Sequence, residues 1–488
     1  MSIEVLNSNS TCRRTAKFRQ YLAAILVSLL GLCLGSTVGW TSPMQPLLTS
    51  DNPPFGTEPL TMDTVSWLGS INYFGAIAGT FFWGRVADRL GRKTAASLVA
   101  VPFIVGWTLI LVAQQVWWLV VARFVIGIGA TGTIVAVPFF ISEMAEDKVR
   151  GFFGSFLSMF VFGGILYSYI IGAYLKYHGL AILGLAVPVV FAVTFIWLPE
   201  TPVFLWKNGE EEKAEKSLLW YRGGDKVMTD KELWRLKDLT KEQIKRPNLK
   251  SLVATKGTRK ALIIGIALWV SKIGSGMFPI LSFAVNIFEM CDTSLTPYQA
   301  AIMMATMQLI SGIFCSALVE RLGRKMLVVG SLMTIAITLT VLGAYLTFIE
   351  EFQAYPILKW VPVVCLCLHV IALGVGIGPM AFVVSAEIFP PEIRGLAMSK
   401  LQLLFSTLAF ATIKMFPWMK FYLKPQGCFW FYGLSSFIFS LFFCFYLPET
   451  KGRTQNAILR LLNGEDPNED VSVEEMKQLN KEGKVIKS

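Results

Sequence analysis

The sequence predicts an all-α membrane protein built from two related halves. Of its 488 residues, 54% are hydrophobic and only 16% are charged, and the mean hydropathy is +0.56. An ordinary soluble domain has a more polar composition. Three short motifs also occur in the same order in both halves, which indicates an internal duplication. The lipid bilayer is therefore the solvent in which the chain has to fold.

Twelve long apolar runs predict twelve transmembrane helices, because a hydrocarbon core of ~30 Å requires about 20 mostly apolar residues per helix. Six runs precede a polar stretch and six follow it. The runs lie at 22–42, 64–83, 95–114, 117–140, 151–173, 180–198, 260–282, 298–318, 326–348, 361–386, 396–416 and 427–447. All twelve are expected to be retained in the mature protein, including the first.

The runs and the polar stretch divide the chain into five segments. These are an N-terminal segment at 1–21, a first group of six helices at 22–198, a linker at 199–259, a second group of six helices at 260–447 and a tail at 448–488. Leucines recur among dense charges in the linker, as in amphipathic surface helices. We therefore expect helices on the membrane surface between the two groups.

The orientation follows from the cations in the short loops, because cytoplasmic loops retain an excess of Lys and Arg. Four cations precede the first run and four follow the second, whereas the loops at 43–63 and 283–297 have none. Both termini are therefore predicted in the cytosol. Anionic lipid at that face accounts for the net charge of +11, so no nucleic-acid partner is expected.

The repeated motifs place charged residues at matching positions in each half. Residues 84–93 read GRVADRLGRK and residues 320–325 read ERLGRK. A topogenic loop would need only the cations, so the added acid and the turn-permitting glycines favour a clamp between two helix ends. Glu143 and Glu387 are each followed seven residues later by Arg-Gly, and Pro-Glu-Thr occurs at 199–201 and at 448–450.

These motifs resemble those of the sugar porter family of the major facilitator superfamily, and the chain is similar to its facilitative glucose and trehalose transporters. The similar segments extend from 84 to 452 and include 123–129 and 376–379, while 39–43 resembles the invertebrate branch. The resemblance implies two six-helix bundles around a central cavity, with cytoplasmic helices between them.

The resemblance also implies a network of salt bridges at the inner face, which we call the gating set. It would hold the bundles together when the cavity faces outward and separate when the cavity faces inward. Partly solvated pairs are worth ~0–1 kcal/mol each, which suits two states of similar energy. Its members would be Asp88, Arg89, Arg92, Glu143, Arg150, Glu200, Glu320, Arg321, Arg324, Glu387, Arg394 and Glu449.

The expected substrate pocket departs from the family pattern. Sugars are recognised by amides, which match hydroxyls, and by an indole ring, which covers one face of a pyranose. Of the matching positions, only Gln308 keeps an amide. The other candidates for substrate binding are Ser158, Lys272, Ile273, Phe278, Phe382, Phe405 and Ser406.

Lys272 is the most unusual of these candidates. It follows Lys260 by twelve residues, which places it ~18 Å into the bilayer, where a charge should face the cavity or a partner. Two interpretations stay open. Lys272 either binds an anionic or polar substrate or replaces a coupling ion, or it is a structural lysine paired with a nearby carbonyl or hydroxyl such as Ser271 or Ser275. Lys414 lies nearer a helix end and is expected to snorkel or to be typical of the family.

Together these observations predict a facilitative transporter for a hexose or trehalose in the plasma membrane, working by alternating access. Two histidines and no phosphate-cradling glycine loop suggest neither an enzyme nor a metal or cofactor site. The first helix offers no acid for proton coupling. Two alternatives remain: a carrier of an organic anion or less polar solute that uses Lys272, and a non-transporting membrane sensor.

Overall fold

A computed structural model describes residues 3–54, 58–239, 249–352 and 355–465, so most of the predicted tail lies outside the described residues. The described residues form twenty α-helices and two short 3-10 turns. The first half contains α1 Ile3–Gly39, α2 Thr41–Leu48, α3 Met62–Thr80, α4 Trp83–Leu90, α5 Arg92–Leu111, α6 Val116–Met144 and α7 Asp147–Phe195. The linker contains α8 Pro202–Lys207, α9 Glu211–Tyr221 and α10 Lys226–Leu239.

The second half repeats this plan and ends in a short helix. Its helices are α11 Lys256–Gly274, α12 Met277–Ser282, α13 Ala284–Met290, α14 Pro297–Leu322, α15 Arg324–Thr347, α16 Ile349–Phe352, α17 Val361–Val375, α18 Ile377–Ile388 and α19 Pro391–Tyr446. Helix α20, Gln455–Asn463, follows the last membrane span. The turns at Leu249–Val253 and Leu358–Trp360 precede α11 and α17.

The helices account for twelve membrane spans. Within the described ranges, nine helices or helix pairs are long and apolar enough to cross a bilayer. Two of these contain two spans each, because the backbone of α7 turns at Lys176 (φ 53°) and that of α19 turns at Lys424 (φ 59°). Helix α3 is the twelfth span. It is less apolar because it carries Ser66, Ser70 and Asn72, all of which are buried against the bundle.

Each half has its own hydrophobic core. The first core surrounds Trp40 and Trp107, and the second surrounds Trp269 and Tyr432. Within the first half, α3 and α6 approach closely at Gly127, where an added Cβ would lie 1.9 Å from the Asn72 carbonyl oxygen. Small residues allow such backbone contacts between membrane helices. The halves meet where α3 packs on α19 and α7 packs on α14.

Successive spans run in opposite directions, so the loops that connect them lie at two distinct ends of the molecule. The loops at 81–91, 196–201, 322–324 and 447–454 lie at one end, which we call the motif end. The segments at 40–54, 58–61, 283–296, 348–352 and 355–360 lie at the opposite end, which we call the far end. The structure also corrects one detail of the prediction. Most of the 84–93 motif forms α4 instead of a loop, because Trp83 and Ala87 bury one face of this turn of helix.

Candidate functional site

The motif end of the first half is organised by two carboxylates. Glu200 accepts hydrogen bonds from the backbone N–H groups of Lys93 (2.8 Å) and Thr94 (3.4 Å), at the start of α5. An acid at this position satisfies unpaired amides and complements the positive end of the helix dipole. Glu143 pairs with the Arg92 guanidinium at 2.8 Å and accepts a hydrogen bond from the Thr201 hydroxyl at 2.6 Å.

The second half repeats this arrangement, although the amides that bond the capping glutamate lie one position earlier in the motif. Glu449 accepts hydrogen bonds from the backbone N–H groups of Arg324 (3.0 Å) and Lys325 (3.1 Å), at the start of α15. Glu387 pairs with the Arg324 guanidinium at 3.0 Å and accepts a hydrogen bond from the Thr450 hydroxyl. The duplicated motifs therefore build the same cap and the same ion pair twice.

Hydrogen bonding controls the ionisation of Glu449. Burial alone would raise the pKa of its carboxyl, but backbone N–H bonds from Lys451, Arg324 and Lys325 outweigh burial and leave the pKa below its usual value. A carboxyl with a lowered pKa stabilises the fold fully above its unfolded pKa of about 4.5 and loses that contribution as the pH falls through the folded pKa. Acidification should therefore release the start of α15.

The remaining members of the gating set have weaker partners. Asp88 lies 3.2 Å from Arg92, one turn away, and Arg150 pairs with Asp147, with both side chains about half exposed. Arg89 is exposed. The other three members lie in the second half. The Arg321 carbonyl accepts a hydrogen bond from the Lys451 ammonium, and the buried Arg394 Nε lacks a hydrogen-bond partner. The Glu320 side chain lies outside the described part of the structure.

The described ion pairs of the gating set join helices of the same half. Arg92 links α5 to the end of α6, and Arg324 links α15 to the end of α18. In this state they brace each half separately and do not clamp the two halves together. Their predicted role as contacts between the halves remains a proposal for the opposite state.

We expect Arg92→Ala to be more harmful than Arg324→Ala. The Arg92 side chain is 9% exposed, whereas that of Arg324 is 20% exposed. Arg92 also donates to the Ala87 carbonyl and lies over Phe204. Its loss should cost about 2 kcal/mol, against about 1 kcal/mol for Arg324. Unfolding in mixed micelles with increasing SDS measures the stability of both variants, and equal losses of stability would contradict this ranking.

The far end carries the contacts that join the halves. The Tyr169 hydroxyl of α7 donates to the Leu281 carbonyl at 2.5 Å, and the Val285 amide donates to the Ser42 hydroxyl at 3.1 Å. The rings of Tyr73 and Phe278 meet edge to face at 4.9 Å. Together with the packing of α3 on α19, these contacts close the far end.

Lys414 contributes an ion pair to this closure. Its ammonium lies 2.5 Å from the Asp63 carboxylate of α3 and 4.7 Å from the centre of the Trp67 ring. The Trp418 indole N–H also donates to Asp63, at 3.4 Å. The ammonium of Lys414, which the sequence suggested would snorkel or be typical of the family, thus reaches a half-exposed acid of the other half. We call Asp63, Trp67, Lys414 and Trp418 the far-end latch.

A buried arginine holds the first half together beneath the latch. The Arg123 guanidinium of α6 donates to the Thr37 carbonyl (2.6 Å), the Leu68 carbonyl (3.1 Å) and the Thr41 hydroxyl (3.3 Å). It also lies over the Trp40 ring at 5.1 Å. A membrane-buried charge normally takes an acid or carbonyl groups as its partners. Here carbonyls, a hydroxyl and a ring fill that role.

The structure brings Lys272, Phe382 and Phe405 together from three different helices. The Lys272 ammonium lies 4.9 Å from the Phe382 ring centre and 5.1 Å from the Phe405 ring centre. It donates to the Gly378 carbonyl at 3.2 Å. We call Lys272, Gly378, Phe382 and Phe405 the lysine cage. Ser271 and Ser275, the partners suggested by the sequence, donate instead to backbone carbonyls of α11, including that of Lys272 itself.

The cage explains how the membrane tolerates this lysine. A lysine at the centre of a bilayer costs about 3 kcal/mol. Two desolvated contacts with aromatic rings contribute up to ~2 kcal/mol each, and a charged hydrogen bond contributes about 1.5 kcal/mol. The side chain is 6% exposed, and these contacts offset its burial without a carboxylate.

Two breaks in the helices create the cage. Helix α11 ends two residues after Lys272, and Gly276 then takes a left-handed conformation (φ 74°) before α12 begins. Helix α17 likewise stops at Val375, and α18 starts at Ile377. Transporters place substrates at such discontinuous helices, because the ends of the half-helices expose charges and backbone groups.

The other pocket candidates differ in their burial and in their contacts. Phe278 contacts Phe405 at 5.4 Å between ring centres, and Ile273 is buried beside Lys272. Ser406 is buried and accepts a hydrogen bond from the Gln402 amide at 3.4 Å. Gln308 is buried on α14 with its amide oxygen unpaired. Ser158 is exposed on α7.

Sequence reasoning missed several of these contacts. Trp269 packs on Phe382 and Phe405 and donates its indole N–H to Ser385, yet it stands at no expected site position. Thr201 and Thr450 donate hydroxyl hydrogen bonds to Glu143 and Glu387. Their shared position after Pro-Glu in the two halves was the sequence feature that could have indicated this role. Within the described ranges, no group of three or more His, Cys, Asp or Glu side chains is placed to hold a metal ion.

The sequence matches the family described as "Sugar (and other) transporter" over residues 23–462. Two similar proteins are insect proteins described as facilitated trehalose transporter Tret1. The protein from Bombyx mori is 31% identical over 460 residues, which cover 93% of this chain and 89% of the relative. The protein from Polypedilum vanderplanki is 30% identical, covering 92% and 88% of the two chains.

The fold is similar to that of solved transporters. The inward-open conformation of the xylose transporter XylE from E. coli superimposes with a TM-score of 0.73 at 20% identity and covers 91% of this chain and 99% of that one. The partially occluded inward-open conformation of the same transporter gives a TM-score of 0.68 at 18% identity, covering 88% and 99%. These similarities confirm the predicted fold of twelve helices in two bundles.

Proposed function

The chain belongs to the sugar transporter family, and on that premise we propose that it is a facilitative sugar transporter that works by alternating access. The names of its insect relatives favour trehalose, and a hexose is the second candidate. The observation that carries the proposal is the asymmetric contact between the halves. The latch closes the far end, while the described ion pairs at the motif end stay within one half.

This geometry supports a carrier whose two halves rock against each other. Tyr169, Ser42 and the latch would separate when the far end opens. The motif end would then close, and the exposed cations of the gating set would approach the opposite half. Each half can move as a unit, because the caps made by Glu200 and Glu449 fix its own helix ends.

The proposed transport is not coupled to protons. Proton relays in transporters are built from Asp, Glu or His side chains. Among the described residues no Asp or Glu is buried, and neither ring nitrogen of the buried His369 has a hydrogen-bond partner. The buried Arg123 has carbonyls and a hydroxyl as partners instead of an acid.

We place the motif end in the cytosol and the protein in the plasma membrane. The motif end carries the basic loops, including Arg85 and Lys93, whereas the far-end loop at 43–63 lacks Lys and Arg. The positive-inside rule then puts both termini in the cytosol. The latch would accordingly be an extracellular gate, and the structure would be open to the cytosol.

Uptake into proteoliposomes tests this proposal. We expect saturable entry of labelled trehalose or glucose that is unchanged when a pH gradient is imposed or collapsed. A membrane sensor would show no flux of either sugar, and a proton symporter would accelerate with an inward proton gradient. Either of these results would overturn the proposal.

Breaking the latch should shift the balance between the two states. Lys414→Met removes a pair worth about 1 kcal/mol, so the population open at the far end should rise about fivefold. Spin labels at Thr61 and Phe421, one in each half, would report a longer distance component. Lys420→Met is the matched control, because Lys420 on the same helix bonds Asn286 within the second half. Equal distance distributions in both variants would contradict the latch.

A further inference from the structure

We infer that the central site accepts an anionic sugar, a solute that carries one carboxylate and several hydroxyls, in addition to neutral sugars, and that Lys272 determines this added specificity. The inference rests on the proposed transport function and names its substrate class. Three observations carry it: Lys272 has no carboxylate partner among the described residues, it lies at two helix breaks, and the amide oxygen of Gln402, three residues before Phe405, is unpaired.

The lysine cage lowers the cost of a buried ammonium but leaves its charge in place. An ammonium has three N–H donors, and only one hydrogen bond, to Gly378, is described. The faces of Phe382 and Phe405 supply partial negative charge without an ion. No carboxylate lies within 4.0 Å of Lys272 among the described residues. A solute carboxylate would complete both the charge and the hydrogen bonds.

Lys272 lies beside two helix breaks, the kind of place where transporters bind their substrates. Lys272 belongs to the last turn of α11, and Gly378 belongs to the first turn of α18. The amino end of α18 carries partial positive charge and the carboxyl end of α11 carries partial negative charge, so these two ends offset each other and leave the full charge of Lys272. Half-helix amino ends face the carboxylate of the substrate in other transporters. The cage therefore combines a full charge with a helix end.

Amide oxygens supply the acceptors that hydroxyls need. Gln402 is buried on α19, three residues before Phe405, and its amide oxygen has no hydrogen-bond partner. Gln308 on α14 has the same unpaired amide oxygen. A sugar hydroxyl can donate to such an oxygen, whereas a simple fatty acid cannot. A hydroxylated carboxylate fits these groups better than an apolar anion.

The test compares uptake and binding of D-glucuronate and D-glucose. We expect the ratio of glucuronate to glucose uptake to fall at least tenfold in Lys272→Gln and to stay within threefold of wild type in Lys272→Arg, which keeps the charge. Lys260→Gln is the matched control, because Lys260 lies exposed on the same helix near its start. An unchanged ratio in Lys272→Gln would overturn the inference.

Ligand-induced thermal stabilisation of the purified protein separates this inference from the transport proposal. Loss of glucuronate binding in Lys272→Gln supports the inference even if the wild-type protein transports no sugar. In that case only the transport proposal fails. Wild type that transports glucose but neither binds nor transports glucuronate overturns the inference and leaves the transport proposal standing. Absence of both binding and flux for both solutes overturns both.

Discussion

Gly91→Ala should destabilise the protein by about 4 kcal/mol and reduce sugar uptake at least tenfold. Gly91 has φ 103° and ψ 163°, a region of backbone conformation that only glycine occupies readily, and another residue pays ~1–3 kcal/mol there. Its added Cβ would also lie 2.2 Å from a carboxylate oxygen of Glu200. Displacing Glu200 would release the start of α5, with two charge-assisted hydrogen bonds lost.

The same motif provides the control for this change. Gly84 lies seven residues earlier, inside α4, and an added Cβ there meets nothing within 4 Å. Gly84→Ala should therefore be neutral or slightly stabilising, because alanine favours a helix more than glycine does. SDS unfolding and proteoliposome uptake measure both variants. Similar stability in Gly91→Ala and Gly84→Ala would contradict the capping role of Glu200.

Arg123→Lys should cost about 3–5 kcal/mol although it preserves the positive charge. A lysine cannot reproduce the planar fork that bonds Thr37, Leu68 and Thr41 together, and each lost bond to a charged donor is worth ~1.5–3 kcal/mol. The remaining ammonium would stay buried with too few partners. Arg123→Met should be less harmful, because it removes the cost of burying a charge.

An exposed arginine is the matched control for this prediction. Arg85 lies on α4 and donates to the Phe81 carbonyl at 3.0 Å, near solvent. Arg85→Lys should change stability by less than about 0.5 kcal/mol. Unfolding in SDS compares the three variants. Greater stability of Arg123→Lys than of Arg123→Met would show that the charge matters more than the geometry of its bonds.

The spans were predictable because each needs only a local apolar run. The twelve runs correspond to the twelve spans, including α3, whose serines and Asn72 are buried by neighbouring helices. Helix α4 was missed as a helix, since eight residues with a charged face carry little hydrophobic signal. The predicted limits of the five segments remain predictions.

The site was less predictable because its partners are far apart in sequence. Asp63 and Lys414 are separated by 351 residues, and only packing of α3 on α19 brings them together. The lysine cage likewise brings Lys272, Phe382 and Phe405 together. Considered one at a time in the sequence, these three residues indicated only that a sugar site had been lost. The motif glutamates were recognised, but Glu200 and Glu449 bond backbone amides instead of arginine side chains.

Counterflow is the decisive experiment for facilitated sugar transport by alternating access. Proteoliposomes loaded with a high concentration of unlabelled trehalose or glucose would be diluted into a trace of the labelled sugar without any ion gradient. We expect a transient accumulation of label above its external concentration, because an occupied carrier exchanges sugar across the membrane. Entry that only equilibrates, or no entry by a folded protein, would show that the protein is not such a carrier.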